Sequence, residues 1–218
     1  MSKLCLVIGV GPGMGLAIAR KFASEGFSIA QMARRSEALE TYKSELGSAD
    51  VPVYSYPADV GDPESLGPAM TKLLDEHGTP EVIIYNVSVL NPASPSGLIY
   101  DDLLRDFKIN VGGALIAAQA VIPGMKERGT GSILITGGGL ALKPFHEFAS
   151  LSIGKAGIRS LCYSLAQELK PHGIHVATVT INGMVEKGSH FDPDKIAEVF
   201  WDIYQPASGK RQVETVFE

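Results

Sequence analysis

The sequence has few cysteines, no basic stripe and no long unbroken apolar run. Its 218 residues carry 19 Lys and Arg against 24 Asp and Glu, a net charge of −5. Nucleic acid is not an expected partner, because phosphate binding needs clustered Lys and Arg. An anionic membrane surface is set aside on the same ground, and no apolar run has the length that crosses a bilayer. The two cysteines, Cys5 and Cys162, lie in apolar settings without C-x-x-C spacing or a neighbouring His. They read as small buried hydrophobes in a reducing compartment, not as a disulfide or a metal site. The histidines are scattered, and only His172 and His175 are close, flanking Gly173 at a turn into a strand. No metal site is expected from them. Linkers, repeats and low-complexity tracts are absent as well.

What is present fits a single globular domain spanning 1–218, with 45% hydrophobic and 20% charged residues. The start, Met1-Ser2-Lys3 followed by Leu4–Ile8, has the outline of a signal peptide. Gly9, Gly11, Pro12, Gly13 and Gly15 break its apolar run early, and no cleavage site follows. The segment is expected to be structural and the protein cytoplasmic.

Short apolar runs alternate with helical patterns along the whole chain. Strands are expected at 3–8, 27–33, 51–56, 81–85, 132–136, 174–181 and, as a last edge strand, 212–217. Helices are expected at 14–25, 36–46, 62–76, 100–128, 148–169 and 192–204. Ser36 is expected to cap the second helix, and Asp62 the third with Pro63 in its first turn. The 100–128 region is expected to bend near Gly112-Gly113 and near Pro123-Gly124. Val/Ile/Leu-rich strands separated by helices predict an α/β fold, a Rossmann-like doubly wound parallel sheet. Ligands in such a sheet bind at the carboxyl ends of the strands.

The turn after the first strand is Gly9-Val10-Gly11-Pro12-Gly13-Met14-Gly15. The literal G-x-G-x-x-G pattern fails, because Met14 falls where its third glycine belongs. G-x-x-x-G-x-G fits, with Gly9 for the tight turn, Gly13 for backbone approach to a pyrophosphate and Gly15 for close helix packing. The alternative is an ordinary glycine-rich turn; its place between first strand and first helix favours a dinucleotide site that includes Met14. After the second strand an NAD site usually carries an acidic residue for the ribose 2′-hydroxyl. Ala33-Arg34-Arg35 stands there instead, and arginines suit a 2′-phosphate. NADP(H) is therefore the expected cofactor, against the alternative of two solvated arginines.

Together these features resemble the short-chain dehydrogenase/reductase family over nearly the whole chain. Gly9, Gly13 and Gly15 match its glycine motif. Ala58-Asp59-Val60 matches an element whose Asp contacts the adenine, and Tyr85-Asn86-Val87-Ser88 keeps one Asn of the family's Asn-Asn-Ala-Gly. Asn110 matches an asparagine of the active-site water relay, and Lys155 the lysine that binds the nicotinamide ribose. Ile181-Asn182-Gly183 occupies the Pro-Gly region without its proline. The family's Tyr-x-x-x-Lys motif is matched by Leu151-Ser152-Ile153-Gly154-Lys155, so the lysine is kept and the tyrosine is not. Gly138 stands where the catalytic serine is expected.

The resemblance implies a tyrosine that exchanges a proton with the substrate oxygen and a serine that hydrogen-bonds the carbonyl; this chain has neither at those positions. His146, in the loop before the last long helix, is a candidate replacement, with the plain reading of a solvated loop histidine beside it. Gly183–His190 is a reduced lid by family standards. Three functions stay open: an atypical NADP-dependent oxidoreductase, a non-catalytic NADP(H)-binding sensor or partner subunit, and a structural oligomerisation module. The family's habit of pairing its two long helices implies a homodimer or homotetramer.

Overall fold

A computed structural model describes residues 3–47, 51–205 and 211–218. Met1 and Ser2 of the signal-like start lie outside the described residues. The chain forms one sheet of seven parallel strands in the order β3-β2-β1-β4-β5-β6-β7. The strands are β1 Leu4–Ile8, β2 Ser28–Ala33, β3 Val53–Pro57, β4 Val82–Tyr85, β5 Gly131–Thr136, β6 Ile174–Ile181 and β7 Glu214–Phe217. Every residue of β1, β4 and β6 is buried, as expected for central strands covered on both faces.

The helices are α1 Met14–Ser24, α2 Ser36–Leu46, α3 Pro63–His77, α4 Tyr100–Phe107, α5 Gly113–Arg128, α6 Ala149–Leu169 and α7 Pro193–Tyr204. Two apolar layers result. Phe22, Tyr42, Leu46, Ile196 and Phe200 bring α1, α2 and α7 onto one face. Leu66, Met70, Ala117, Val121, Ile158 and Cys162 bring α3, α5 and α6 onto the other. This is the doubly wound sheet that the alternation predicts. Strand order reverses between β1 and β4, which opens a crevice at their carboxyl ends.

Local chemistry explains most boundaries. Asp62 caps α3, its carboxylate accepting from the Glu64 amide at 3.0 Å, with Pro63 at the first position. Ser36 does not cap α2: it is already helical, and Arg35 with extended backbone is the cap residue. The 100–128 helix is interrupted by a π-helical turn at Lys108–Gly112, which runs up to the expected Gly112-Gly113 position. Pro123 lies inside a continuous α5. By length and composition 100–128 is apolar enough to cross a bilayer, which corrects the expectation that no such run exists. Here its Ala114, Ala117, Ala118, Val121 and Met125 are buried in the domain core.

The edge strand β7 is fastened to α6 by charge. Arg159 donates from Nε and Nη2 to the Glu214 carboxylate, at 2.9 and 2.6 Å. Thr180 and Tyr163 hydroxyls donate to the same carboxylate at 2.6 and 2.8 Å. These bonds, Arg159 foremost, hold the Glu214 carboxyl down at about 2, against an ordinary 4.5. The cluster therefore stabilises the fold fully above pH 4.5 and loses that contribution as pH falls towards about 2. Glu214→Gln should cost about 1.5 kcal/mol, the low end for bonds to a charged group because Arg159 is partly exposed. Thermal melts at neutral pH should show Tm lower by roughly 3–6 °C, with less further loss between pH 4.5 and pH 3 than wild type shows.

Candidate functional site

The β1–α1 turn begins at Gly9, whose φ of +91° lies in the left-handed region. A Cβ at Gly9 would also stand 2.5 Å from the Asn86 carbonyl. A Cβ on Gly15 would run into the Gly9 carbonyl, so α1 can begin this close to β1 only with glycine there. Gly13 differs. Its Cβ would meet nothing within 4 Å, and it caps α1 without a side-chain bond. Around it the helix start leaves backbone amides without intrahelical acceptors and a partial positive charge. A helix start of this kind can receive an anion, and the space over Gly13 is open.

Two cavities flank the crevice. The first, of about 290 Å³, runs from Gly9 and Pro12 past Arg34 and Arg35 to Asp59 and Val60. Arg34 and Arg35 are exposed on its rim and form no ion pair among the described residues. Asp59 is half-buried and accepts from the Gly61 amide at 2.9 Å. The second cavity, of about 460 Å³, is lined by Met14, Gly138, Leu151, Lys155, Ile181 and Val185, among others. Asn86 and Ser88 line both, so the two are halves of one cleft.

A line of hydrogen bonds crosses the floor of the cleft. Lys155 Nζ donates to the Thr136 carbonyl at 3.0 Å. The Thr136 hydroxyl donates to Asn86 Oδ1 at 2.9 Å, and Asn86 Nδ2 donates to the Gly9 carbonyl at 3.1 Å. Burial of Lys155 lowers its ammonium to about 8. Asn110 sits in the π-helical turn, buried, with Oδ1 accepting from the Val89 amide at 2.9 Å. Its Nδ2 has no protein partner and faces Gly154, whose Cβ would lie 2.7 Å away. The turn also frees the Ile109 carbonyl, which accepts from the buried Tyr85 hydroxyl.

Most of the residues expected from sequence thus converge on the cleft: Gly9, Met14, Arg34, Arg35, Asp59, Val60, Asn86 and Lys155 line it, while Gly13 and Gly15 stand at the start of α1 beside it without lining either half. Leu151 and Gly138 line its second half beside Lys155. Asn110 stands behind it. His146 is not brought there. It is exposed, beside Phe145 and Ile153, on a separate apolar groove between α4 and α6. Sequence reasoning missed the bridging bond from Thr136 to Asn86, which no spacing announces. It also missed the buried Asp106, which accepts from Ser150 at 2.8 Å and ties α4 to the start of α6.

The comparisons with known proteins agree with this geometry. Residues 3–190 match the family model described as short chain dehydrogenase. The chain belongs to the short-chain dehydrogenase family. Dehydrogenase/reductase SDR family member 4 of Sus scrofa is 28% identical over 180 residues. That match covers 80% of this chain and 63% of the relative, so the chain spans less than two thirds of its length. A metagenomic short-chain oxidoreductase solved in complex with NADP superimposes with a TM-score of 0.91 at 24% identity, over 99% of this chain and 97% of the other. An NAD+-bound xylitol dehydrogenase does so at 0.88 and 24%, over 98% and 96%. At these identities the structures establish the shared fold, and they include complexes of both nicotinamide cofactors.

The glycines should separate by experiment. Gly9→Ala and Gly15→Ala each force backbone apart and should cost about 2 kcal/mol or more. Gly13→Ala enters open space and should leave Tm within a degree or so of wild type. Differential scanning calorimetry of the three variants measures this.

Proposed function

We propose that this chain is an atypical short-chain dehydrogenase that binds NADP(H) in the two-part cleft and lacks the family's proton-transferring pair. The observation that carries the reading is the joint lining of the second cavity by Lys155, Leu151 and Gly138. The residues fit a dinucleotide: an open cradle over Gly13, unpaired arginines on the far rim and one buried amine at the other end. Gly9, Gly13, Met14 and Gly15 would hold the pyrophosphate, Asp59 and Val60 the adenine, and Arg34 and Arg35 a 2′-phosphate. Asn86 would face the middle of the molecule and Lys155 its nicotinamide ribose. When bound, the cofactor supplies or accepts a hydride.

Leu151 carries no exchangeable proton and Gly138 no hydroxyl. Missing acid–base catalysis costs about 10²–10⁴-fold in rate, and a missing polarising donor about 10²–10³-fold more. The second reading is a non-catalytic NADP(H)-binding sensor or partner subunit. It is favoured by the short segment between β6 and α7, which gives the second cavity only Gly183 and Val185 as lining while Met184 is 82% exposed. Homo-oligomerisation is proposed with either reading. Leu104 and Phe107 on α4, Leu115 on α5, and Ile153 and Tyr163 on α6 are exposed apolar side chains on the paired helices.

Fluorescence titration should give NADPH roughly ten- to a hundred-fold tighter binding than NADH, the worth of one Arg–phosphate contact of about 1.5–3 kcal/mol. Arg34→Ala should erase much of that preference; equal affinities in wild type would refute the cofactor choice. With saturating NADPH, turnover of simple ketones and aldehydes should fall below the common enzyme range of about 1–10³ s⁻¹. Light scattering should give a dimer or tetramer at micromolar concentration, and a monomer throughout would remove the oligomer proposal.

A further inference from the structure

The second cavity holds a single charged side chain. Its other walls are neutral and mostly apolar, with Met14, Leu90, Leu140, Leu151 and Val185 around the amine. Lys155 is 8% exposed. It makes one protein hydrogen bond, to the Thr136 carbonyl, and no ion pair among the described residues. Facing it, Asn86 follows β4, Thr136 ends β5, Ile181 ends β6, and the 137–139 turn is all glycine, so no carboxylate or other titratable group of these segments lines the cavity. An ammonium has three donors, and two of those on Lys155 are left, one for the ribose and one for a second oxygen.

Glycine at 138 leaves room along the lysine stem. A Cβ there would stand 3.3–3.5 Å from the Lys155 Cε, Cδ and Cγ atoms, against its flank. One helical turn before the amine, Leu151 supplies wall without any polar atom. Lys155 is the one ionisable group in the lining of this cavity; the other side-chain hydroxyls there are Ser88 and Thr136, the latter already donating to Asn86.

We propose that the Lys155 ammonium is itself the proton donor to the reacting oxygen of an apolar carbonyl compound in this cavity, and that the neutral amine takes the proton back in the reverse direction. The inference rests on the NADP(H) reading above. In reduction, the carbonyl carbon gains a hydride from NADPH and the C=O π pair moves to oxygen. That oxygen takes a proton from Nζ. An alcohol, NADP+ and a neutral lysine amine result, and solvent water returns a proton to the amine. A donor whose ionisation lies near working pH is well matched to this task. Burial has moved Lys155 in that direction, to about 8. In reduction the active form is the ammonium, so the rate is full below pH 8 and falls above it.

Two measurements test this. The first needs neither cofactor nor turnover. Wild-type protein with carbon-13 at lysine Cε is titrated by NMR, and the Lys155 signal is identified by its loss in Lys155→Arg. Its midpoint should lie near 8, against about 10.4 for exposed lysines. A midpoint among the exposed lysines overturns the proposal. The second follows oxidation of bound NADPH by benzaldehyde in a single turnover across pH. The wild-type rate should fall about tenfold per pH unit above the NMR midpoint. Lys155→Arg, which stays charged across this range, should at saturating NADPH lose about 10²–10⁴-fold in rate together with that pH dependence. An unchanged rate and profile in Lys155→Arg overturns the proposal. So does a wild type that binds NADPH and transfers no hydride at any pH. A wild type that fails to bind NADPH removes the cofactor reading itself, and this inference falls with it.

Discussion

Three hydrogen bonds in series hold the carboxyl edge of the sheet in register: lysine to the Thr136 carbonyl, threonine hydroxyl to Asn86, and Asn86 amide to the Gly9 carbonyl. They join α6, β5, β4 and β1 at the point where strand order reverses. The glycine turn is held on its other side by steric necessity, since neither Gly9 nor Gly15 has room for a Cβ. The glycine turn and a buried amine, far apart in sequence, are in this way set in one cleft. The same chain is what burial of Lys155 depends on, because a buried ammonium without acceptors is costly.

Irregular backbone supports that edge from behind. A π-helical turn adds a residue to a helical circuit and leaves carbonyls short of partners. Here Tyr85 satisfies the Ile109 carbonyl, and Asn110 turns its carbonyl oxygen to the loop after β4. Gly113, whose Cβ would lie 2.7 Å from the Val60 carbonyl, lets α5 resume close to the sheet. The site is thus built on departures from ideal structure at 108–113, flanked by regular helices that are packed in the core.

The alternation of strands and helices, the glycine turn and the Asp62-Pro63 helix start were legible in the sequence because each is written in local chemistry. Arg34 and Arg35 were legible through their position after the second strand, and Asp59, Asn86 and Lys155 through the resemblance to the family's motifs; all five line the cleft. The π-helical turn was not, since Lys108–Gly112 has no composition that separates it from α-helix. Ser36 misled because a serine before a helix looks the same at the cap and at the first turn. His146 lies close to Lys155 in sequence, yet the loop turns it onto the other side of α6, into the groove with Ile153. Asp106 and Ser150 are 44 positions apart, and only the packing of α4 on α6 brings them together.

The aromatic corner where α7 lies on α1 is remote from the cleft and gives the chain an optical property. Its single tryptophan, Trp201, stands edge-on to Phe22 at 5.2 Å and to Phe27 at 6.0 Å, with the Lys21 ammonium 5.8 Å from its ring. Tryptophan emission, excited selectively over tyrosine, is therefore a report on one corner, sensitive to α7 leaving α1 and remote from α4 and α6. An unfolding curve followed by tryptophan and one followed by backbone dichroism need coincide only if α7 detaches with the rest of the sheet.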